Sequence, residues 1–319
     1  MINWGIIGAG NIAKRFVNSL QNSENGKLYA IASYTKANRD YYADNFNDVK
    51  VYDNYVSLLE DENVDAVYIA TRHNDHYPWV KEALLHKKAV LCEKPATLHK
   101  DQTEELCELA KKMNVFFLEG IKTRFVPLVY DIKKALDEGV IGDVLRVETC
   151  FAYDHPYKEG IYLFDDIQGG IFNDVASYNI GSIIDYIHSP LKQVLSEVEY
   201  NYGVDASDHI ELIFESGQTG YIDVALNENK EKGMTIYGTK GTLKATPFYR
   251  PTKAVIKLSD GDEICLEKEY IHDDFFTEIE EVHKCLKNNQ IQSDRLTFDD
   301  SITVAYIMDE VKKTFKREK

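Results

Sequence analysis

Three short stretches of this chain place ligand-binding or reactive residue types at spacings that could do chemistry. In GIIGAGNIAKRF, residues 5–16, Gly8, Gly10 and Ala13 form a G-x-G-x-x-A pattern after an apolar run and before a helical one. Gly8 permits a tight turn, Gly10 lets the backbone at Asn11 and Ile12 approach a pyrophosphate, and Ala13 allows close helix packing. A helix N-terminus then faces the phosphates, so dinucleotide binding is the implied chemistry. The second stretch, AVLCEKPATL at 89–98, is an apolar run closing on Glu93, Lys94 and Pro95. Proline cannot donate to a sheet ladder, so the strand stops there. The third, GGIFNDVASY at 169–178, sets Asp174 and Tyr178 four residues apart, on one face of a helix.

These residues need a scaffold that brings strand ends together. Through residue 120, β-branched runs at 4–8, 28–34, 65–71, 89–94 and 115–120 alternate with helical patterns. Such alternation, with apolar runs lacking a polar face, predicts a doubly wound parallel sheet of α/β class. Its ligand lies beyond the carboxyl ends of the strands, where Glu93 and Lys94 fall and where TRHNDH, 71–76, begins. Thr71 and His76 are candidates to border the cofactor, although His76 could equally begin an exposed helix. The second strand ends ASYTKANR, with Ser33 where an acid would hold a ribose 2′-hydroxyl and with Lys36 and Arg39 just beyond. A hydroxyl with two cations favours a 2′-phosphate, hence NADP over NAD; the plainer reading makes both cations the solvated start of a helix.

Beyond residue 122 the pattern changes to longer alternating strands separated by Gly-containing turns, with helices at 127–138, 274–289 and 298–317. This predicts an α+β domain with a large, mainly antiparallel open sheet. The expected boundaries are a nucleotide domain at 1–122, a substrate and oligomerisation domain at 123–297, and a C-terminal helix at 298–319 packing back on the first.

Composition narrows the function classes. A net charge of −16 repels nucleic acid and anionic lipid, and the apolar runs are strand-sized. The N-terminus shows no export signal, so a cytoplasmic protein is expected, with its five scattered cysteines reduced. The nine histidines lack metal-ligand clustering, and no metal is called for.

With the Gly turn, CEKP at 92–95, EGIKTRFVP at 119–127 and GGIFNDVASY at 169–178 together, the chain resembles the glucose-fructose oxidoreductase, inositol dehydrogenase and rhizopine-catabolism (Gfo/Idh/MocA) family. It looks most like the dihydrodiol dehydrogenase and glucose-fructose oxidoreductase branch. The resemblance implies a Rossmann nucleotide domain and an NAD(P)-dependent dehydrogenase acting on a CH–OH group of a neutral sugar, polyol or trans-dihydrodiol. It further implies that Lys94 meets substrate and nicotinamide ribose, with a Lys94–Pro95 peptide that is often cis. Tyr178 would then carry the proton, since an ammonium nearby favours phenolate. Asp174 would orient the pair or hold a substrate hydroxyl. Arg124 could meet substrate or pair with Glu119. Tyr153, Tyr157, Tyr162 and Phe164 could wall a sugar ring or pack on one another. Relatives commonly bury the open sheet face, so a homodimer or homotetramer is expected. A non-catalytic NAD(P)-binding regulator and an aldose-aldose oxidoreductase with tightly held NADP are the competing readings.

Overall fold

Apolar runs without a polar face become central strands here. The computed structural model describes residues 1–315. Its first sheet contains β1 (Ile2–Ile7), β2 (Gly26–Ala32), β3 (Lys50–Tyr52), β4 (Ala66–Ile69), β5 (Ala89–Cys92) and β6 (Phe117–Glu119), in the order β3-β2-β1-β4-β5-β6. All pairings are parallel. Crossovers run through α1 (Asn11–Leu20), α2 (Lys36–Asn45), α3 (Tyr55–Leu59), α4 (His73–Leu85) and α5 (Lys100–Met113). Every residue of β4 and β5 is buried, as strands covered on both faces require. Strand order reverses at β1, so the crevice outside its carboxyl end is the ligand position of this architecture. The strand β3 was not among the expected ones: three residues are too few to show a period, and pairing with Ala30–Ala32 of β2 makes it a strand.

The second sheet follows α6 (Pro127–Asp137). It is built from β7 (Val144–Ala152), β8 (Leu191–Asn201), β9 (Val204–Phe214), β10 (Thr219–Ala225), β11 (Met234–Gly238), β12 (Gly241–Ala245), β13 (Lys253–Leu258) and β14 (Glu263–Glu267). The order is β14-β13-β12-β11-β7-β10-β9-β8, antiparallel except for the β7–β10 pair. Alternation along β10 sends Ile222 and Val224 inward, while Gly220 lies against Ile183 of α7 (Ile171–Ile184). A side chain at Gly220 would meet Ile183 at 2.7 Å, so its absence lets helix and sheet approach.

Two units result: residues 1–120 with 271–302, and residues 121–270 with the chain from Thr303. The expected second domain ran to 297, whereas α8 (Asp274–Lys287) lies in the first unit against α1. Asp274 pairs with Arg15 at 3.1 Å, Asp273 accepts from Ser19 at 2.6 Å, and Trp4 donates to His283 at 2.9 Å. These partners are more than 250 residues apart, beyond the reach of local pattern. Helix α9 (Phe298–Thr314) was expected to pack back on the first domain and to reach 317; residues 316–319 lie outside the described residues. Its start belongs to the first unit, with Phe298 stacked on Phe117. From Thr303 it belongs to the second, where Met308 accepts from Ser177 and Thr314 bonds Ser196. Among the described residues no helix is long and apolar enough to cross a membrane.

Candidate active site

In the first unit the Gly turn closes β1 against the end of β4. Gly8 has φ +85°, and a Cβ there would lie 2.7 Å from the Ala70 carbonyl oxygen, so only glycine fits. At Gly10 the space a Cβ would occupy is open within 4 Å. Among the described residues no side chain caps α1, and its first turn holds no acid, leaving the N–H groups of Asn11 and Ile12 and the positive helix end for an anion. These features fit a dinucleotide pyrophosphate.

At the end of β2, Ser33 is buried and its hydroxyl accepts from the Thr35 N–H. Arg39 donates to the carbonyls of Ser33 (2.7 Å) and Tyr34 (3.0 Å), which fixes its guanidinium at that strand end. Lys36 is ion-paired with Asp40 at 2.6 Å on the exposed face of α2, as the plainer reading had it.

The Glu-Lys-Pro corner is tied down from three sides. Tyr68, stacked on Phe16, donates to Glu93 at 2.5 Å. The Lys94–Pro95 peptide is cis. Glu119, at the end of β6, accepts from the Ala96 N–H at 2.9 Å and from the Ser301 side chain. Burial pushes the Glu119 carboxyl up to about 7, against those bonds and the Lys94 charge. His76 does not begin an exposed helix: it is fully buried in α4, with Nδ1 2.8 Å from the Pro95 carbonyl and Nε2 3.2 Å from that of Thr71. Burial lowers its pKa, so the ring is neutral and can donate from one nitrogen only; the Pro95 contact is the better placed. His76 thus sits between the ends of β4 and β5, holding the backbone at Pro95, next to Lys94, while its other nitrogen faces the Thr71 carbonyl.

In the second unit, Asp174 and Tyr178 share the expected face of α7. The helix starts after Gly170, whose φ is +92° and whose missing Cβ leaves room for the Asp205 carboxylate; Asp205 accepts from the Phe172 N–H at 2.8 Å. Tyr153 donates to Asp174 at 2.6 Å and Tyr162 at 3.0 Å, so two of the aromatic residues between β7 and α7 hold this carboxylate. The others pack together: Tyr157 stacks on Tyr202 and meets Phe164. Burial, then the Asp174 charge, pushes the Tyr153 phenol far above its ordinary range. It stays a donor. Tyr178 is buried among rings instead, 6.4 Å from both Phe151 and Tyr249.

Arg124 pairs with Asp185 at 2.6 Å within the second unit, beside Lys133, which reaches the same oxygen at 2.7 Å. Sequence reasoning missed Lys122. It is buried in the short 3-10 turn Lys122–Arg124, with its ammonium 5.8 Å from the Tyr178 ring centre. The only signal was a lysine flanked by apolar and small residues in EGIKTRF.

Known proteins resemble this chain over nearly its whole length. Mouse trans-1,2-dihydrobenzene-1,2-diol dehydrogenase is 28% identical over 332 residues, covering 100% of this chain and 99% of its own. A Bacillus subtilis scyllo-inositol 2-dehydrogenase (NADP(+)) is 28% identical over 324 residues, covering 98% and 97%. Among solved structures, a 3-ketoreductase from Actinomadura kijaniata with NADP and TDP-benzene superposes with a TM-score of 0.88 at 24% identity, covering 98% of this chain and 97% of its own. Residues 2–121 match the Gfo/Idh/MocA oxidoreductase family model with its NAD-binding Rossmann fold, and 129–244 match the Gfo/Idh/MocA C-terminal domain. The chain is a member of the Gfo/Idh/MocA family of NAD(P)-binding oxidoreductases.

Proposed function

We propose that this oxidoreductase interconverts a hydroxyl and a carbonyl on a sugar, polyol or trans-dihydrodiol, using NADP in preference to NAD. The observation that carries the reading is the α7 face, where a buried tyrosine stands one turn beyond a carboxylate that two phenols hold in place. When bound, the nicotinamide accepts or supplies the hydride. Tyr178 takes the hydroxyl proton during oxidation and returns it during reduction. Lys94, at the Glu-Lys-Pro corner, assists by charge and by holding the substrate oxygen, as the family motif implies. Asp174 is an acceptor for a neighbouring substrate hydroxyl, oriented by Tyr153 and Tyr162. The names of the full-length relatives, a dihydrodiol dehydrogenase and an inositol dehydrogenase, support a neutral polyhydroxylated or cyclic diol substrate.

Preference for NADP rests on Ser33 in place of an acid and on Arg39 fixed beside it. The test is reduction of NADP and NAD across a panel of aldoses, polyols and trans-dihydrodiols. Titration of NADPH and NADH by fluorescence accompanies it, on wild type and Arg39→Ala. Turnover faster with NADP is expected, and loss of Arg39 should weaken NADPH about 10- to 100-fold, the worth of a charge-assisted hydrogen bond, with little change for NADH. Equal weakening of both would remove Arg39 from 2′-phosphate recognition. Absence of turnover across the panel would overturn the substrate class.

A further inference from the structure

We infer that Lys122 is a positioning residue for the proton transfer, its ammonium setting the pH at which Tyr178 can act as base; this rests on the proton role proposed for Tyr178. The geometry lies within one unit. The 3-10 turn Lys122–Arg124 packs against α7, and the residue before it, Ile121, sits close on Gly181, where an added Cβ would meet the Ile121 side chain at 3.0 Å. Arg124, two residues on, is anchored to Asp185 just past the end of α7. The turn is therefore held at both ends, and Lys122 has a fixed origin. Only 6% of Lys122 is exposed, and its Nζ lies 5.8 Å from the Tyr178 ring centre.

A cation over a phenol is attracted to the ring quadrupole, and is attracted more strongly once the ring carries the full charge of a phenolate. Burial strengthens the difference, because little water screens the pair. The same turn holds no acid, and the carboxylate nearest in sequence on α7, Asp174, is engaged by Tyr153 and Tyr162. Among the described residues, Asp174, Lys232 and Arg250 are further charges around this aromatic cluster: Lys232 lies 5.0 Å from the Phe151 ring centre and 5.4 Å from that of Tyr153, and Arg250 lies 5.1 Å from the ring centre of Tyr249, which packs beside Tyr178. Lys232 and Arg250 therefore face the rings next to Tyr178, whereas Lys122 faces Tyr178 itself.

The test is the pH profile of kcat/KM for alcohol oxidation with NADP in wild type, Lys122→Met, Lys122→Arg and Tyr178→Phe, each checked for Tm and NADPH affinity. In Lys122→Met the acid limb should move up by about one to two pH units, the effect of a unit charge some 6 Å away at an effective dielectric of about 20 to 40, with activity recovering at high pH. Lys122→Arg should restore the wild-type limb. A limb that stays in place, or a loss uniform across pH, overturns the inference even when Tyr178→Phe is inactive. A raised KM with an unmoved limb also overturns it, and makes Lys122 a substrate contact. Substantial activity in Tyr178→Phe would instead overturn the proton role on which the inference rests.

Discussion

Tyr178→Phe is expected to lower kcat by about 10² to 10⁴ while leaving NADPH affinity and Tm close to wild type. The change removes one oxygen and keeps the ring, so the packing beside Phe151 and Tyr249 survives. Tyr153 is committed to Asp174 and is pushed well above its ordinary range by burial and by that carboxylate. A proton taken by such a phenolate would be bound too tightly to be useful near neutral pH. Lys94→Met should fall in step with Tyr178→Phe if both serve the same proton transfer, and the double variant should be little worse than either single one. Measured single-turnover rates decide this, because they separate hydride transfer from product release. A Tyr178→Phe enzyme within threefold of wild type at every pH would remove the tyrosine from the mechanism.

How much of this could be read beforehand depends on whether the information is local. The Gly8 turn, the Glu93-Lys94-Pro95 corner and the Asp174 and Tyr178 spacing are each contained in a dozen residues, and all are where the pattern put them. The alternating strands of the second sheet were equally legible, since period-two burial is written along β9 and β10. What could not be read is what distant segments do to those residues. Gly26 illustrates the point: a Cβ there would strike the imidazole of His283, so the start of β2 is shaped by a helix more than 250 residues later. The placement of His76 is similar. Nothing in HNDHY distinguishes a surface histidine from one whose ring nitrogens both face backbone carbonyls, because Pro95 and Thr71 come from two different strand ends. Lys122 escaped notice for the same reason: a lysine's default is solvent, and only the fold buries this one beside Tyr178.

The second large effect concerns an acid pair behind the start of α7, and its sign is the reverse of the usual carboxylate case. Asp205 and Asp208 of β9 face each other in the interior; Asp208 is fully buried, and among the described residues no donor reaches either of its oxygens. Burial, then the Asp205 charge, pushes Asp208 up to about 9. Asp205 is also raised by burial, but less freely, because the Phe172 N–H and the Lys312 ammonium favour its ionised form. Lys312 in turn is lowered by burial, opposed by Asp309 and Asp205. At neutral pH the pair therefore holds a proton on Asp208, and Asp205 stays the carboxylate that caps α7. Folded protein binds this proton more tightly than unfolded chain, so stability is greatest below the ordinary carboxylate pKa and falls as pH rises toward 9. One proton limits that slope to about 1.4 kcal/mol per pH unit. Asp208→Asn keeps the shape, removes the titration and offers Asp205 an amide donor at every pH. The variant's Tm should accordingly exceed that of wild type by an amount that widens from pH 5 to pH 8, each kcal/mol being worth about 2–4 °C in a unit of this size. A constant difference across that range would mean that Asp208 ionises as an ordinary surface acid and that water reaches the pair. A widening difference would mean that the helix carrying Asp174 and Tyr178 is seated on a proton, and that raising the pH loosens its first turn before it touches the chemistry.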